Sequence, residues 1–295
     1  MTQTQQSRPL PYRLIVTDMD GTLLNDDKEV PDSFWPVVTQ LLDKGLYFAP
    51  ASGRQLATLQ TQFESIADEI PIIAENGNLV AHNGEIVSVT SMDYDLVAKL
   101  VNAVNDLSEQ RVQADRLPLS TIVCGQESAY VEFFPEHFGI SKEQQQEQLA
   151  EASKYYLKLA RVDDVLAAAR EDNIVKIAVF DPYDVEEETA ARLSEYIDDA
   201  PLRGVVSGAH WLDIIDANTN KGTALQALQK SLDVSAEETL CFVDYLNDLE
   251  LLDHSGRSFA MANAHPDIKD RATDIAPANT EEGVVVVLKE LFGLE

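Results

Sequence analysis

Positive charge is scarce in this chain: 22 Lys and Arg stand against 51 Asp and Glu, for a net charge of −29 and a sequence pI near 4.3. Such a field repels polyanions, which argues against nucleic acid and anionic membrane surfaces as partners. A phosphate-bearing ligand would have to be small, and local positive groups or a bound cation would have to meet it. Cysteine is nearly absent as well. Cys124 and Cys241 lie far apart in apolar runs, STIVCG and TLCFVD, a placement that suits two buried thiols better than a disulfide or a metal pair. The first residues, MTQTQQSRPLPYR, contain no apolar core of signal-peptide length. The apolar run VVVVL near the other end is far too short to cross a bilayer, so a cytoplasmic location is expected. There is no Walker loop, no GxGxxG, no HExxH and no CxxC, and the five histidines lack metal-ligand spacing. Readings as a nucleotide-cradling, dinucleotide-binding, zinc-protease or redox protein therefore lack their parts.

What remains is ordinary globular material: 295 residues, 45% hydrophobic and 25% charged, enough for a real core in one large or two medium domains. RLIVT reads as a buried strand, PDSFWPVVTQLLDKG as a helix closing on Gly, LYFAPAS as a strand, RQLATLQTQFESIAD as a helix and PIIAENG as a strand. Strand alternating with helix predicts a parallel sheet with covering helices. From about Asn83 the rhythm changes, with strands expected in EIVSVT, STIVCG, AYVEFF, IVKIAVF and HWLDII. Helices are expected in DLVAKLVNAVNDLSE and VEEETAARLSEYI. After Asn220 the first rhythm resumes through KGTALQALQKSL, ETLCFVD, LNDLELLD, SFAMAN and EEGVVVVLKELF. The expected organisation is α/β: a doubly wound domain over 10–83 and 217–295, interrupted by a second α/β domain over 84–216.

Polar residues recur at the strand ends of the outer pattern: Asp18 and Asp20 after the first, Ser52 and Gly53 after the second, Asp244, Asn247 and Asp248 after a late one. Lys221 opens a helix. Ligands in open α/β sheets sit beyond the carboxyl ends of the strands, so these positions can meet despite their separation in sequence. Taken singly, each has an ordinary explanation as a turn, a cap or a helix entry. Two acids one residue apart would point to opposite faces of a continuing strand, so Asp18 and Asp20 share a site only if the strand has ended.

In combination and order, DMDGTLL, ASGR, NKG and VDYLND resemble the haloacid dehalogenase-like superfamily. The long insertion between ASGR and NKG and the closing AMANAHPDIKDRATDIAPANTEEGVVVVLKELF resemble its Cof-type phosphatases. The resemblance implies a Rossmann-like core with an inserted α/β cap, and hydrolysis of a small phosphorylated metabolite through an aspartyl-phosphate. It places Asp18 as nucleophile, Asp20 as general acid/base and Lys221 as the cation on the transferring group. Ser52, Gly53, Arg54, Asn76 and Asn247 fall on the phosphate and substrate side. A carboxylate nearing a phosphate dianion meets about 4 kcal/mol of repulsion per unit-charge pair at ~4 Å and an effective dielectric of ~20, which calls for a hard cation. Mg2+ is therefore expected on Asp18, Asp244, Asp248 and the backbone carbonyl of Asp20. Two other readings share these residues, a phosphomutase of the phosphomannomutase kind and a non-catalytic module that binds Mg2+ or a metabolite. The sequence departs from the family at Val243, where Gly is usual; a β-branched residue suits that position only if the strand runs through it. Specificity is expected in the cap, in SAYVEFFPEHFGI or SKYYLKL.

Overall fold

In the computed structural model, which describes residues 11–132, 140–206 and 210–294, two sheets divide the chain. The first takes β1 (Leu14–Asp18), α1 (Phe34–Asp43), β2 (Tyr47–Ala51), α2 (Leu56–Gln62), β3 (Ile72–Ala74), β4 (Leu79–His82) and β5 (Glu85–Val89). The chain then builds α3 (Tyr94–Gln113), β6 (Ser120–Gly125), β7 (Ala129–Glu132), α4 (Lys142–Ser153), β8 (Leu159–Val162), α5 (Val165–Ala169), β9 (Ile174–Phe180), α6 (Ala191–Asp198), β10 (Leu202–Val206) and β11 (Trp211–Asp216). It returns to the first sheet through α7 (Lys221–Leu232), β12 (Thr239–Val243), α8 (Leu249–Asp253), β13 (Arg257–Met261), α9 (Pro266–Arg271), β14 (Asp274–Ala276) and α10 (Gly283–Phe292).

The eight strands of the first sheet run in the order β14-β13-β12-β1-β2-β3-β4-β5. They are parallel from β14 to β3, with an antiparallel hairpin added at β4 and β5. All five residues of β1 are buried, as expected of a parallel strand covered on both faces. β1 pairs on one side with β2, Leu14 facing Tyr47, and on the other with β12, Leu14 facing Thr239. The chain steps away from β1 in one direction early and in the other direction late, so a crevice opens beyond the carboxyl ends of β1 and β12. Asp18 and Asp244 lie at that point.

The second sheet runs β10-β11-β9-β6-β7-β8 and is antiparallel except between β7 and β8. One face buries Ile177, Val179, Leu212 and Ile214 against Leu100, Val104 and Leu193 of α3 and α6. Lys176 and Asp213 reach the loops of the first sheet. The turn Asn83-Gly84, where the sequence rhythm changes, lies inside the first sheet, because Glu85–Val89 folds back onto β4. We propose to count the two sheets as core and inserted domains, joined at about residues 90–93 and 217–220.

The helix expected over 54–68 stops at Gln62; tight turns follow, Glu64 N–H to Thr61 O and Ile66 N–H to Phe63 O, which swing Phe63 and Ile66 into the core. β4, β8, β10 and β14 were not expected; Arg161 and Arg203 interrupt the apolar runs of β8 and β10, and β14 is only three residues long. The stretch SAYVEFFPEHFGI falls largely on residues 133–139, outside the described residues. Val243 ends β12, paired with Ala260, fully buried and without positive φ. A β-branched residue there is thus in its preferred backbone.

Candidate active site

β1 ends at Asp18, and the chain breaks at once into the irregular turn Met19–Leu23, where Asp20 has φ −77° and Gly21 φ +84°. The two acids are therefore free of strand alternation. Gly21 is required twice over: its backbone lies in the left-handed region, and a Cβ would fall 2.3 Å from Asp244 Oδ2. Thr22 Oγ1 donates to Asp244 Oδ1 at 3.1 Å, and Asn263 Nδ2 donates to the Gly21 carbonyl at 2.8 Å, tying this turn to the loop after β13.

Lys221 is the first residue of α7, and the local sequence explains why its side chain is held. Asn220 caps the helix with a reciprocal pair of bonds, Thr223 N–H to Asn220 Oδ1 at 2.8 Å and Asn220 N–H to Thr223 Oγ1 at 3.1 Å. Gly222 leaves no room for a Cβ against Glu250. Lys221 is 2% exposed, and its Nζ donates to Asp18 Oδ1 at 2.5 Å and to Asp248 Oδ1 at 2.6 Å. Burial disfavours the ammonium, but the two carboxylates outweigh it and hold Lys221 charged, with its pKa above the ordinary value.

Ligand oxygens of Asp18, Asp244 and Asp248 all lie within 4.8 Å of one another. Fully ionised, the three carboxylates would set three negative charges against the one positive charge of Lys221. Burial first, then the charges of Asp18 and Asp248, push Asp244 up to about 8. Burial and the Asp18 charge push Asp248 up to about 7, against the opposing pull of Lys221. Asp248 Oδ2 is buried without a hydrogen-bond partner among the described residues. Crowded carboxylates with an orphaned oxygen are an oxygen-donor set that fits a hard divalent cation, which would cancel the excess charge.

Asp20 lies to one side of this cluster. Arg54 grips it with two bonds, Nε to Oδ2 at 3.0 Å and Nη2 to Oδ1 at 2.9 Å, and Lys28 Nζ adds a contact to Oδ1 at 3.0 Å. Burial alone would raise the Asp20 carboxyl, but the bonds and charge of Arg54, with those of Lys28, outweigh it and bring the pKa below the ordinary value. Ser52 is buried at the end of β2, with its Oγ accepting the Arg54 backbone N–H at 3.2 Å. A Cβ on Gly53 would lie 2.8 Å from Asn76 Oδ1. Asn76, at φ 57°, turns to Asp213 of the second sheet, donating at 3.4 Å. Asn247 sits half-buried in the turn Leu246–Asp248, and its side chain makes no hydrogen bond among the described residues.

The structure thus gathers Asp18, Lys221, Asp244 and Asp248 into one cluster and hangs Asp20 and Arg54 beside it. Asn76 faces the second sheet. Thr22, Lys28 and Asn263 were not anticipated. The DGT triplet and the AMAN turn were the available signals, but nothing in their spacing says that Asn263 reaches Gly21.

Fold and cluster together are those of a haloacid dehalogenase-like hydrolase, and that family matches residues 15–288. The chain belongs to it. A 5-amino-6-(5-phospho-D-ribitylamino)uracil phosphatase of Escherichia coli is 30% identical over 96% of this chain and 97% of its own. A Bacillus subtilis phosphatase of the same name is 27% identical over 96% and 98%. A solved structure from Thermotoga maritima superposes with a TM-score of 0.78 at 23% identity, covering 95% of this chain and 97% of that one, a likeness of fold. The chain is an enzyme of this family's phosphatase branch. Among the described residues no helix is long and apolar enough to cross a membrane.

Proposed function

We propose that the chain is a magnesium-dependent phosphatase of small phosphomonoesters, working through a phosphoenzyme on Asp18. The observation that carries this reading is the convergence of Asp18, Asp244, Asp248 and Lys221 in one buried cluster at the switch point of the sheet. When bound to Asp18, Asp244, Asp248 and the Asp20 carbonyl, Mg2+ supplies charge neutralisation between carboxylate and phosphate.

Asp18 attacks phosphorus, and the ester bond breaks as the Asp20 carboxyl gives its proton to the departing alkoxide. The Asp20 carboxylate then takes a proton from the water that attacks the phosphorus of the aspartyl-phosphate, which returns Asp18 and releases inorganic phosphate. Lys221 holds the Asp18 carboxylate in place and faces the transferring group with a fixed positive charge. Ser52, the backbone at Gly53, and Asn247 line the phosphate. In the free enzyme Arg54 keeps Asp20 ionised. An arriving phosphate dianion competes for that guanidinium, and once released, a partly buried Asp20 regains the tendency to hold a proton that its role as acid requires.

The leaving group lies between the two sheets, against the loops that carry Arg54 and Asn76. The relatives' printed substrate, a ribitylamino-uracil phosphate, leads the panel to be tested, with sugar phosphates, pyridoxal phosphate and flavin mononucleotide beside it. Inorganic phosphate released from that panel, with magnesium and with chelator, is compared between the wild type and Asp18→Asn. Release that needs both magnesium and Asp18 is expected. Isomerised sugar phosphate in place of free phosphate would indicate a mutase, and ligand-dependent stabilisation without turnover a binding module.

A further inference from the structure

Among the described residues, one buried charged cluster that the reaction leaves unused joins the second sheet to the loops of the first. Lys176, on β9 of the second sheet, has a side chain 3% exposed, and its Nζ lies 2.7 Å from Glu75 Oε2 and 3.6 Å from Asp213 Oδ2. The same Nζ donates to the backbone carbonyl of Gly53 at 3.1 Å. Glu75 and Gly53 belong to the first sheet, on the two loops that follow β3 and β2. Glu75 and Asn76 both stand at positive φ, 51° and 57°, a conformation that Asn tolerates but that Glu rarely adopts without support from its surroundings. Gly53 packs so closely against Asn76 that a Cβ on it would lie 2.8 Å from Asn76 Oδ1. A few residues on, the Gln55 amide brackets the Lys158 backbone, donating to its carbonyl at 3.0 Å and accepting its N–H at 2.9 Å.

We infer that Lys176 is a positioning residue: by bonding the Gly53 carbonyl and the Glu75 carboxylate, it couples the seating of the second sheet to the shape of the loops that carry Ser52, Arg54 and Asn76. Lys176 touches no reacting atom. Lifting the second sheet withdraws the ammonium, frees the Gly53 carbonyl and strands Glu75, so the phosphate loop holds its working shape only when the sheet is down. The inference rests on the proposed phosphatase for its activity readout alone.

Two roles for Lys176 predict different results. If it serves only to neutralise its buried carboxylates, removing all three charges repairs everything. If it positions the loops, removing all three charges repairs stability alone. Lys176→Met is expected to lower the melting temperature, because Glu75 and Asp213 are left buried without their cation. The triple variant Lys176→Met/Glu75→Gln/Asp213→Asn is expected to regain most of that loss. Its kcat is nevertheless expected to stay at least ~10-fold below wild type, with magnesium affinity within about twofold, the pattern of a displaced donor set and not of a damaged metal site. Amide hydrogen exchange in segments 52–58 and 75–78 is expected to remain at least ~10-fold faster than wild type in the triple variant. Recovery of wild-type kcat and wild-type exchange together with the melting temperature would overturn the inference. The exchange measurement decides the matter whether or not phosphate is released, so an inactive wild type would remove the phosphatase and leave the test of Lys176 standing.

Discussion

Gly21 probes the site from the backbone side. Its φ is +84°, and a Cβ there would lie 2.3 Å from Asp244 Oδ2 and 2.9 Å from Asp244 Cγ. Gly21→Ala therefore carries two penalties. Left-handed backbone costs an L side chain about 1–2 kcal/mol. Asp244 must also retreat by roughly 1 Å to reach ordinary van der Waals contact, although Thr22 holds its other oxygen at 3.1 Å. Gly45 separates the two, since its φ is +77° and nothing lies within 4 Å of its Cβ position. In urea unfolding, Gly45→Ala is expected to lose about 1–2 kcal/mol and Gly21→Ala at least as much. In phosphate release at saturating magnesium, Gly45→Ala is expected to stay within about twofold of wild type, whereas Gly21→Ala falls by about 10²-fold in kcat/KM, the scale of a ~1 Å misplacement in a catalytic constellation. Equal activity in the two variants would mean that the reaction does not need Asp244 where the structure puts it, and the argument from the carboxylate cluster would fail.

Lys221→Met removes the shared partner of Asp18 and Asp248 and is expected to cost about 10²–10³-fold in kcat, by the scale of one preorganised donor; a loss under about tenfold would take Lys221 out of the reaction. Arg54→Ala leaves Asp20 with only Lys28 to oppose its burial, so its pKa rises, and the alkaline limb of kcat/KM, which reports the protonated acid, is expected to move to higher pH. An unmoved limb would show that Arg54 does not set the acid. The metal-free protein should also be sensitive to pH. Asp244 at about 8 and Asp248 at about 7 stand above the ordinary 3.8, so the folded chain binds protons that the unfolded chain has lost. That stability is complete below about pH 4 and disappears as pH rises through 7 and 8. With chelator present, the urea midpoint is expected to fall between about pH 5 and 8, and magnesium to abolish the fall; a flat metal-free profile would contradict the crowding.

β1 and β12 were legible because they are short apolar runs ending in polar residues, and α10 because its buried valines recur at helical spacing around the exposed Val286. β8 and β10 escaped because they carry arginines on partly exposed strands, where the pattern of burial is broken. Asp18, Asp244 and Asp248 could be named in advance, since strand ends in this topology converge by geometry, whereas Lys221, which opens α7, was singled out through the resemblance of NKG to the family's pattern. The pairing of Arg54 with Asp20 could not. It depends on which way a surface-loop guanidinium turns, a choice made by a rotamer and a neighbouring charge across 34 residues of sequence. The same holds for Lys176, a lysine inside the apolar run IVKIAVF, whose partners lie on loops that only the seated second sheet brings near.

β1 lies between β2 and β12, with Leu14 in register with Thr239, and that arrangement sets a timetable for synthesis. β2 follows β1 almost at once, but the opposite edge of β1 waits until more than two hundred further residues have been made. At ~5–20 residues per second, the interval between the emergence of Asp18 and that of Asp244 is roughly 10–45 s. All the strands of the second sheet leave the ribosome within that interval and can pair among themselves. The nascent chain therefore spends its first half-minute with an open hydrophobic edge on β1 and an incomplete set of carboxylates, inert until its last quarter arrives. The edge needs shelter over the same period.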